Sequence, residues 1–403
     1  MKCNTGSRRD GADPPPAGAG RRIGLAFSGG GVRAAVFHTG VLKRLAQENL
    51  LEEVSAVSTV SGGSLVMAAI VSLAGMRWPS SEEYLRSILP TLRGRLTTTD
   101  LFSAKAIGWR GLIEFNAGLF SDRAHVLAQL LERNWGVAGK LADLPDMPAW
   151  SINTTCLETG KNWRFAKREM GDWNFGRHFT PDLALSTAAA ASAAVPYVIG
   201  AVTVPLPADG WWETDPATGN QVRTRPPPHR SVRLWDGGAY DNMGLEALCK
   251  PGRGLKGCDF LICSDASGPL RQPERSPLAG LIQGRLSSSR MFDVAGDQIR
   301  ALRSRMLIAD IAAGAVAGVL LRMGNSVRAV DVKSGRVRPA AFYDAYQADE
   351  TAAKALQHAT DLKAISPGHF DALARHGFEI ADATLTTYVP AGFPRSLSWE
   401  DPA

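Results

Sequence analysis

Apolar and polar positions alternate between two periods along the first quarter of the chain. Arg22 to Phe27 is a short apolar run and reads as a strand. The glycine-rich turn Ser28-Gly29-Gly30-Gly31 follows. Val32 to Glu48 then carries apolar residues at helical spacing: Val36, Phe37, Val41, Leu42 and Leu45. Val54 to Val60 is rich in β-branched residues and predicts a second strand, and Gly62 to Gly75 predicts a mostly apolar helix. Strand–helix–strand–helix in this order implies a parallel sheet with right-handed crossovers.

Further on the pattern is more broken. Ser80 to Trp135 reads as helical and irregular, with turns at Pro90 and around Gly108 to Gly118. Trp150 to Cys156 and Asn162 to Ala166 flank a turn containing Gly160, which predicts a hairpin. Asp182 to Ala194 is rich in Ala and Ser and predicts a helix ended by Pro196. Arg230 to Trp235 and Asp259 to Ser264 predict strands, with a short helix over Gly244 to Lys250 between them. Pro205 to His229 reads as an exposed loop, because Pro226-Pro227-Pro228 cannot pair in a sheet. From Leu286 the chain reads mainly as helix, notably Met291 to Leu321 and Ala345 to Leu362.

Composition narrows the class. The chain has 403 residues, 45% of them hydrophobic and 21% charged, which fits a soluble globular protein with a sizeable core. Residues 1–20 are rich in Gly, Pro, Ala and charge, which is the composition of a disordered segment. Residues 21–285 read as the main domain, and 286–403 as a mainly helical C-terminal region packed on it. The net charge of +6 suits an anionic membrane surface or a phosphate-bearing ligand, and equally plain solubility. No nucleic-acid polymer is expected as partner, and homo-oligomerisation stays open.

Five cysteines with no CxxC pair indicate neither a disulfide framework nor a zinc site. Cys249, Cys258 and Cys263 lie in or beside apolar runs and read as buried thiols, which favours a reducing cytoplasm. No signal peptide is expected. Met306 to Leu321 contains Asp310 and is shorter than the roughly 20 apolar residues of a membrane span, so it reads as a buried or surface-docked helix. Arg300, Arg303 and Arg305 precede it; basic next to apolar suits docking on anionic lipid, and a core helix with a solvated end is the simpler account.

Two Gly-flanked residues, far apart in the chain, are the candidates for chemistry. Ser61, in Thr59-Val60-Ser61-Gly62-Gly63, stands at a strand-to-helix turn, the arrangement that exposes a nucleophilic hydroxyl in G-x-S-x-G. Thr59 occupies the place of the first glycine of that pattern. The competing account is a serine that only caps a helix. Asp236 ends a predicted strand before Gly237-Gly238, where it could act as base for Ser61 or simply organise a turn. A metal site built from Asp236 and Asp241 has too few further ligands nearby.

The loop Gly29-Gly30-Gly31 admits three readings. It could be an oxyanion hole, a plain tight turn, or a dinucleotide loop with Glu52 or Glu53 as the acidic partner. Ser28 also precedes glycines at a strand end and so competes with Ser61 as nucleophile. None of the seven histidines sits in a distinctive motif; His38 reads as a packing or surface residue.

Taken in order, Gly29-Gly30-Gly31-Val32-Arg33, Ser61-Gly62-Gly63 and Asp236-Gly237-Gly238 resemble the motifs of patatin-like phospholipases. Thr154 to Gly160, Ala191 to Pro196 and Asp236 to Leu245 resemble that family's accessory stretches. The resemblance covers about residues 22 to 265. It implies an α/β, three-layer fold with a mainly parallel central sheet flanked by helices, here with a helical C-terminal extension. It implies a Ser61–Asp236 dyad, an oxyanion hole from the backbone at Gly29, Gly30 and Gly31, and Arg33 holding that loop. It implies hydrolysis of membrane phospholipid without metal or organic cofactor, from the cytoplasm at the inner membrane face. Some bacterial relatives are membrane-damaging effectors, including antiphage ones switched on by cyclic nucleotides, which adds a regulated effector with a small-molecule activator to the expectations. The rival readings are a dinucleotide-binding protein and a catalytically inactive interaction module.

Overall fold

A computed structural model describes residues 21–101, 123–196, 199–215, 221–223, 226–270, 279–358 and 361–400. Five strands form the parallel part of one mixed sheet, in the order β14 (Gly318–Arg322), β13 (Phe260–Asp265), β1 (Ile23–Phe27), β2 (Val54–Thr59) and β3 (Ala149–Cys156). Helices α1 (Gly31–Ala46) and α2 (Gly62–Leu73) are the crossovers foreseen for β1 and β2. Strands β1, β2 and β13 are buried at every position, as expected of parallel strands covered on both faces.

Beyond β3 the sheet turns antiparallel. The hairpin to β4 (Asn162–Phe165) forms with Gly160 in the left-handed region (φ 66°). Strands β5 (Glu169–Asp172), β6 (Gly176–Phe179), β8 (Trp211–Thr214) and β9 (Gln221–Arg223) continue the arm. The stretch from Pro205 to His229 is therefore not simply a loop. Trp211 buries its ring against Trp163 and Phe175, and that burial draws β8 onto β6. The three prolines lie outside any strand, as anticipated.

Strand pairing brings the two motif segments together. Strand β2 pairs with β3 as far as Thr59 opposite Ile152, where β2 ends. Strand β4 holds the other edge of β3. Strand β10 (Ser231–Asp236) takes over the edge that β2 leaves open, running antiparallel, with Asp236 opposite Thr154. Its other neighbour is β7 (Val202–Pro205). The last residue of β10 therefore lies beside the turn that leaves β2.

The C-terminal third departs most from expectation. Met306 to Leu321 is not one helix. Helix α5 (Ala279–Ala312), which follows α3 (Leu185–Ser192) and α4 (Gly238–Asp241) along the chain, stops before Gly314 (φ 69°), and the chain enters β14 on the open edge of β13. An available sheet edge outweighs local helical spacing there. Among the described residues of Ala345 to Leu362, only Asp349–Ala355 is α-helical. Gly244 to Lys250 forms a 3-10 turn at Leu245–Ala247 and then a two-stranded ribbon, β11 (Cys249–Lys250) with β12 (Gly254–Leu255). Pro90 makes no turn; it sits in the first turn of Leu89–Thr98, which continues the helical path from Ser81. The turn expected around Gly108 to Gly118 lies outside the described residues.

Helix α6 (Pro367–Tyr388) packs along α1. The two backbones nearly touch: a Cβ on Gly40 would collide with Ala374 O, and one on Gly377 with Phe37 O. Buried Arg44 donates from Nε to Asp382 at 2.6 Å across the same contact. Asp382 also accepts from Ser396 Oγ and Leu397 N, which ties the C-terminal segment into the core. Asp382→Ala leaves Glu48, 2.7 Å from Arg44 Nη1, as the remaining counter-charge of the buried Arg44, and should destabilise the fold by about 3 kcal/mol, measured as a lower urea midpoint.

Candidate active site

Ser61 occupies the turn between β2 and α2 with φ 49° and ψ −120°, a conformation that costs a non-glycine residue about 1–3 kcal/mol. The surroundings hold it there. Its N–H lies 3.2 Å from Ser192 O and 3.0 Å from Ser192 Oγ. Glycines permit the tight passage: a Cβ on Gly62 would strike Gly31 O, and one on Gly63 would lie 2.8 Å from Phe27 O.

A row of buried hydroxyls supports this turn, and its proton directions follow from its ends. Trp150 Nε1 donates to Thr59 Oγ1 at 2.9 Å. Ser192 Oγ donates to Asn153 O at 2.7 Å. Between them, Thr59 and Ser64 are 2.8 Å apart, as are Ser64 and Ser192. A hydroxyl has one proton, so Thr59 donates to Ser64 and Ser64 to Ser192. This accounts for Thr59 where a glycine was expected: its hydroxyl begins the relay that ends under Ser61. Asn153 adds to it, donating from Nδ2 to Thr59 O and Ser58 Oγ, each at 2.9 Å.

Asp236 reaches the same point from β10. Its carboxylate accepts from Gly238 N–H at 2.6 Å and lines the same cleft as Ser61. Its own N–H donates to Ala194 O and its carbonyl accepts from Thr155 Oγ1. Burial pushes its pKa up to about 6, against the downward pull of the Gly238 N–H and the Ser61 hydroxyl.

The Gly29–Gly31 loop faces this pair. Ser61 opens α2 and Gly31 opens α1, so two helix N-termini, each with positive electrostatic character, meet beside the hydroxyl. The three glycines are not equivalent. Gly29 N–H already donates to Asn242 O at 3.0 Å, which removes it from the expected set of anion donors and leaves Gly30 and Gly31. Gly29 is instead a spacer, since a Cβ there would lie 2.9 Å from Ser61 Cβ and collide with Asn242 Oδ1. Buried Arg33 donates from Nη1 to Leu356 O and His358 O, tying the start of α1 to the C-terminal region.

The competing candidates have structural employment. Ser28 Oγ donates to Gly29 O and accepts from Ala266 N. His38 stacks on Phe27 and lies 3.0 Å from both Ser28 O and Ser264 Oγ. A carbonyl cannot donate, so Nε2 carries the proton, and burial lowers the pKa to about 4, keeping the ring neutral. Asp241 caps Met243 and Glu246 N–H and faces Arg303, and the described residues contain no cluster able to hold a metal. Glu52, one of the two acids of the dinucleotide reading, accepts from Ser81 N–H and Oγ and so is taken.

Ser61 and Asp236 open into a cleft of about 460 Å³, within the range of ligand sites. Gly30, Arg33, Val195 and Asn242 line it, and α5 contributes Phe292, Asp293, Gly296, Asp297 and Arg300. Arg300 is paired with Asp297 at 2.7 Å and Arg303 with Asp241 and Glu246 at 3.5 and 3.4 Å, so neither faces outward for lipid as their sequence position allowed.

The family description Patatin-like phospholipase matches residues 25–248. No curated protein sequence matches the chain. Among solved structures, human GIVD cytosolic phospholipase A2 superposes with a TM-score of 0.55 at 14% identity, covering 93% of this chain and 60% of that one. The same human protein in complex with methyl gamma-linolenyl fluorophosphonate superposes with a TM-score of 0.50 at 18% identity, covering 93% and 58%. The chain thus spans about three fifths of these two solved structures. At these identities the likeness is one of fold: a mixed sheet with mostly parallel central strands, flanked by helices.

Proposed function

The chain belongs to the patatin-like phospholipase family, and on that premise we propose that it is a serine acyl-ester hydrolase releasing fatty acids from membrane phospholipids. The observation that carries the reading is that Ser61 and the buried Asp236 carboxylate open into one cleft, with a glycine-lined helix start beside them. Asp236 takes the Ser61 proton as Oγ attacks the ester carbonyl. The oxyanion forms beside the Gly30 and Gly31 backbone and the N-termini of α1 and α2, where positive partial charge is already in place. The intermediate expels the lysophospholipid alkoxide, which takes the proton back from Asp236. Water, deprotonated in turn by Asp236, then hydrolyses the acyl-enzyme and restores Ser61.

A fluorophosphonate probe tests this directly. It should form a covalent adduct on the peptide containing Ser61, read by mass spectrometry. Labelling elsewhere overturns Ser61 as the nucleophile, and no labelling favours an inactive interaction module.

The pH dependence has a definite sign. Asp236 must be ionised to act as base, and burial places its pKa at about 6. We therefore expect kcat/KM to rise with pH and reach half its plateau near pH 6, with unit slope below. An ordinary exposed aspartate would give a plateau extending to about pH 4.

The finer readings rest on the family resemblance: peripheral action at the inner membrane face, and a regulated, membrane-damaging antiphage effector with a cyclic-nucleotide activator. A cyclic nucleotide that raises the rate of liposome hydrolysis would support the second. No described helix is long and apolar enough to cross a membrane.

A further inference from the structure

Helix α5 lines the cleft with one side and meets solvent with the other, and the solvent side is apolar. Met291, Val294, Leu302 and Ile308 are exposed at 70%, 38%, 52% and 48%. Their spacing puts them on one stripe, filled in by exposed Ala295, Ala309 and Ala312. Only Gln298 and the exposed Arg305 interrupt it, and no carboxylate lies on it. The acids of this part of the helix are elsewhere: Asp293 and Asp297 line the cleft and Asp310 a neighbouring groove. A solvated helix normally presents charge on its outer face; a contiguous apolar face marks an interaction surface.

We propose that this outer face of α5 is the surface on which the protein docks to a lipid bilayer, an inference that rests on the hydrolase reading above. Charge complementarity is the first argument. The stripe carries a single cation and no anion, and the chain carries +6 overall, which suits phosphate headgroups around an apolar interior. Continuity with the cleft is the second. A groove of about 560 Å³, lined by Leu302, Met306, Leu307 and Tyr240, runs beside the stripe, and Ala239 lines both that groove and the cleft of Ser61. Leu302 belongs to stripe and groove alike. A phospholipid moving from bilayer to Ser61 along this route keeps its acyl chains covered. A protein partner on the same face would require no such path.

The test separates docking from catalysis. Met291→Glu/Ile308→Glu alters the stripe at two positions that line neither cleft nor groove. Sedimentation is measured with vesicles of equimolar phosphatidylcholine and phosphatidylglycerol, on a Ser61→Ala background that consumes no lipid. The double variant should bind about tenfold more weakly or worse. With Ser61 intact, it should lose fatty-acid release from the same vesicles to a similar extent. Its hydrolysis of a soluble short-chain ester and its melting temperature should not change. Unaltered vesicle binding overturns the proposal. So does a wild-type dimer that the variant converts to monomer with vesicle binding intact, which would assign the face to a second copy. Should no protein release fatty acid while stripe-dependent sedimentation persists, docking stands and the hydrolase reading falls.

Discussion

Ser61→Ala is expected to reduce phospholipid hydrolysis by about 10⁴-fold or more, with the fold unchanged. In serine hydrolases the hydroxyl is the one group whose loss removes the covalent route altogether, and residual rates come from the remaining anion site and from binding. Here the substitution deletes a single atom. The turn that holds residue 61 depends on its backbone N–H, bonded to Ser192, and on Gly62 and Gly63, none of which alanine disturbs. Fatty-acid release from liposomes should therefore vanish while the melting temperature and vesicle binding stay near wild type. Full activity in this variant would remove Ser61 from the chemistry and would return Ser28 and the histidines to consideration.

Asp236→Asn should lower kcat by roughly 10⁴-fold, because it removes the base. This change is close to isosteric. An amide oxygen still accepts from Gly238 N–H, and the backbone bonds to Ala194 and Thr155 do not involve the side chain. Its stability effect has the opposite sign from that of an ordinary salt-bridged aspartate. Burial raises the folded-state pKa to about 6 from 3.8, so the native state holds its proton more tightly than the unfolded one. The site's contribution is then largest below pH 4 and is lost as pH rises through 6. At pH 7 asparagine relieves the cost of a buried charge, and the variant should be at least as stable as wild type. A large fall in melting temperature, or activity within tenfold of wild type, would count against Asp236 as the buried base.

Much of the site is legible in the sequence because its demands are local. A strand that must turn sharply into a helix needs small residues at fixed offsets, and those glycines stand at 29–31, 62–63 and 237–238. Backbone crowding explains them: Gly62 against Gly31 O, and Gly237 against Asn153 O. The parallel core β1–α1–β2–α2 is legible for a related reason, since period and β-branching report burial directly. Ser192 and Asn153 are different. Each sits in a stretch marked only by resemblance or by hairpin shape, and nothing adjacent in sequence announces the hydroxyl relay they complete under Ser61.

The sequence by itself determined that strand-to-helix turns would form at Ser61 and at Gly29–Gly31, and that Asp236 would end a strand beside glycines. Sterics between near neighbours settle such matters. Only the tertiary structure decided that β10 takes the edge of β3 which β2 vacates, so that Asp236 reaches Ser61. The same holds for β14, drawn onto the open edge of β13 from a stretch with helical spacing, and for Gly29, whose N–H goes to Asn242 rather than to an oxyanion. Hydrogen-bonding partners across long sequence separations depend on which edges and donors remain unsatisfied once the rest has packed, and no local pattern encodes that.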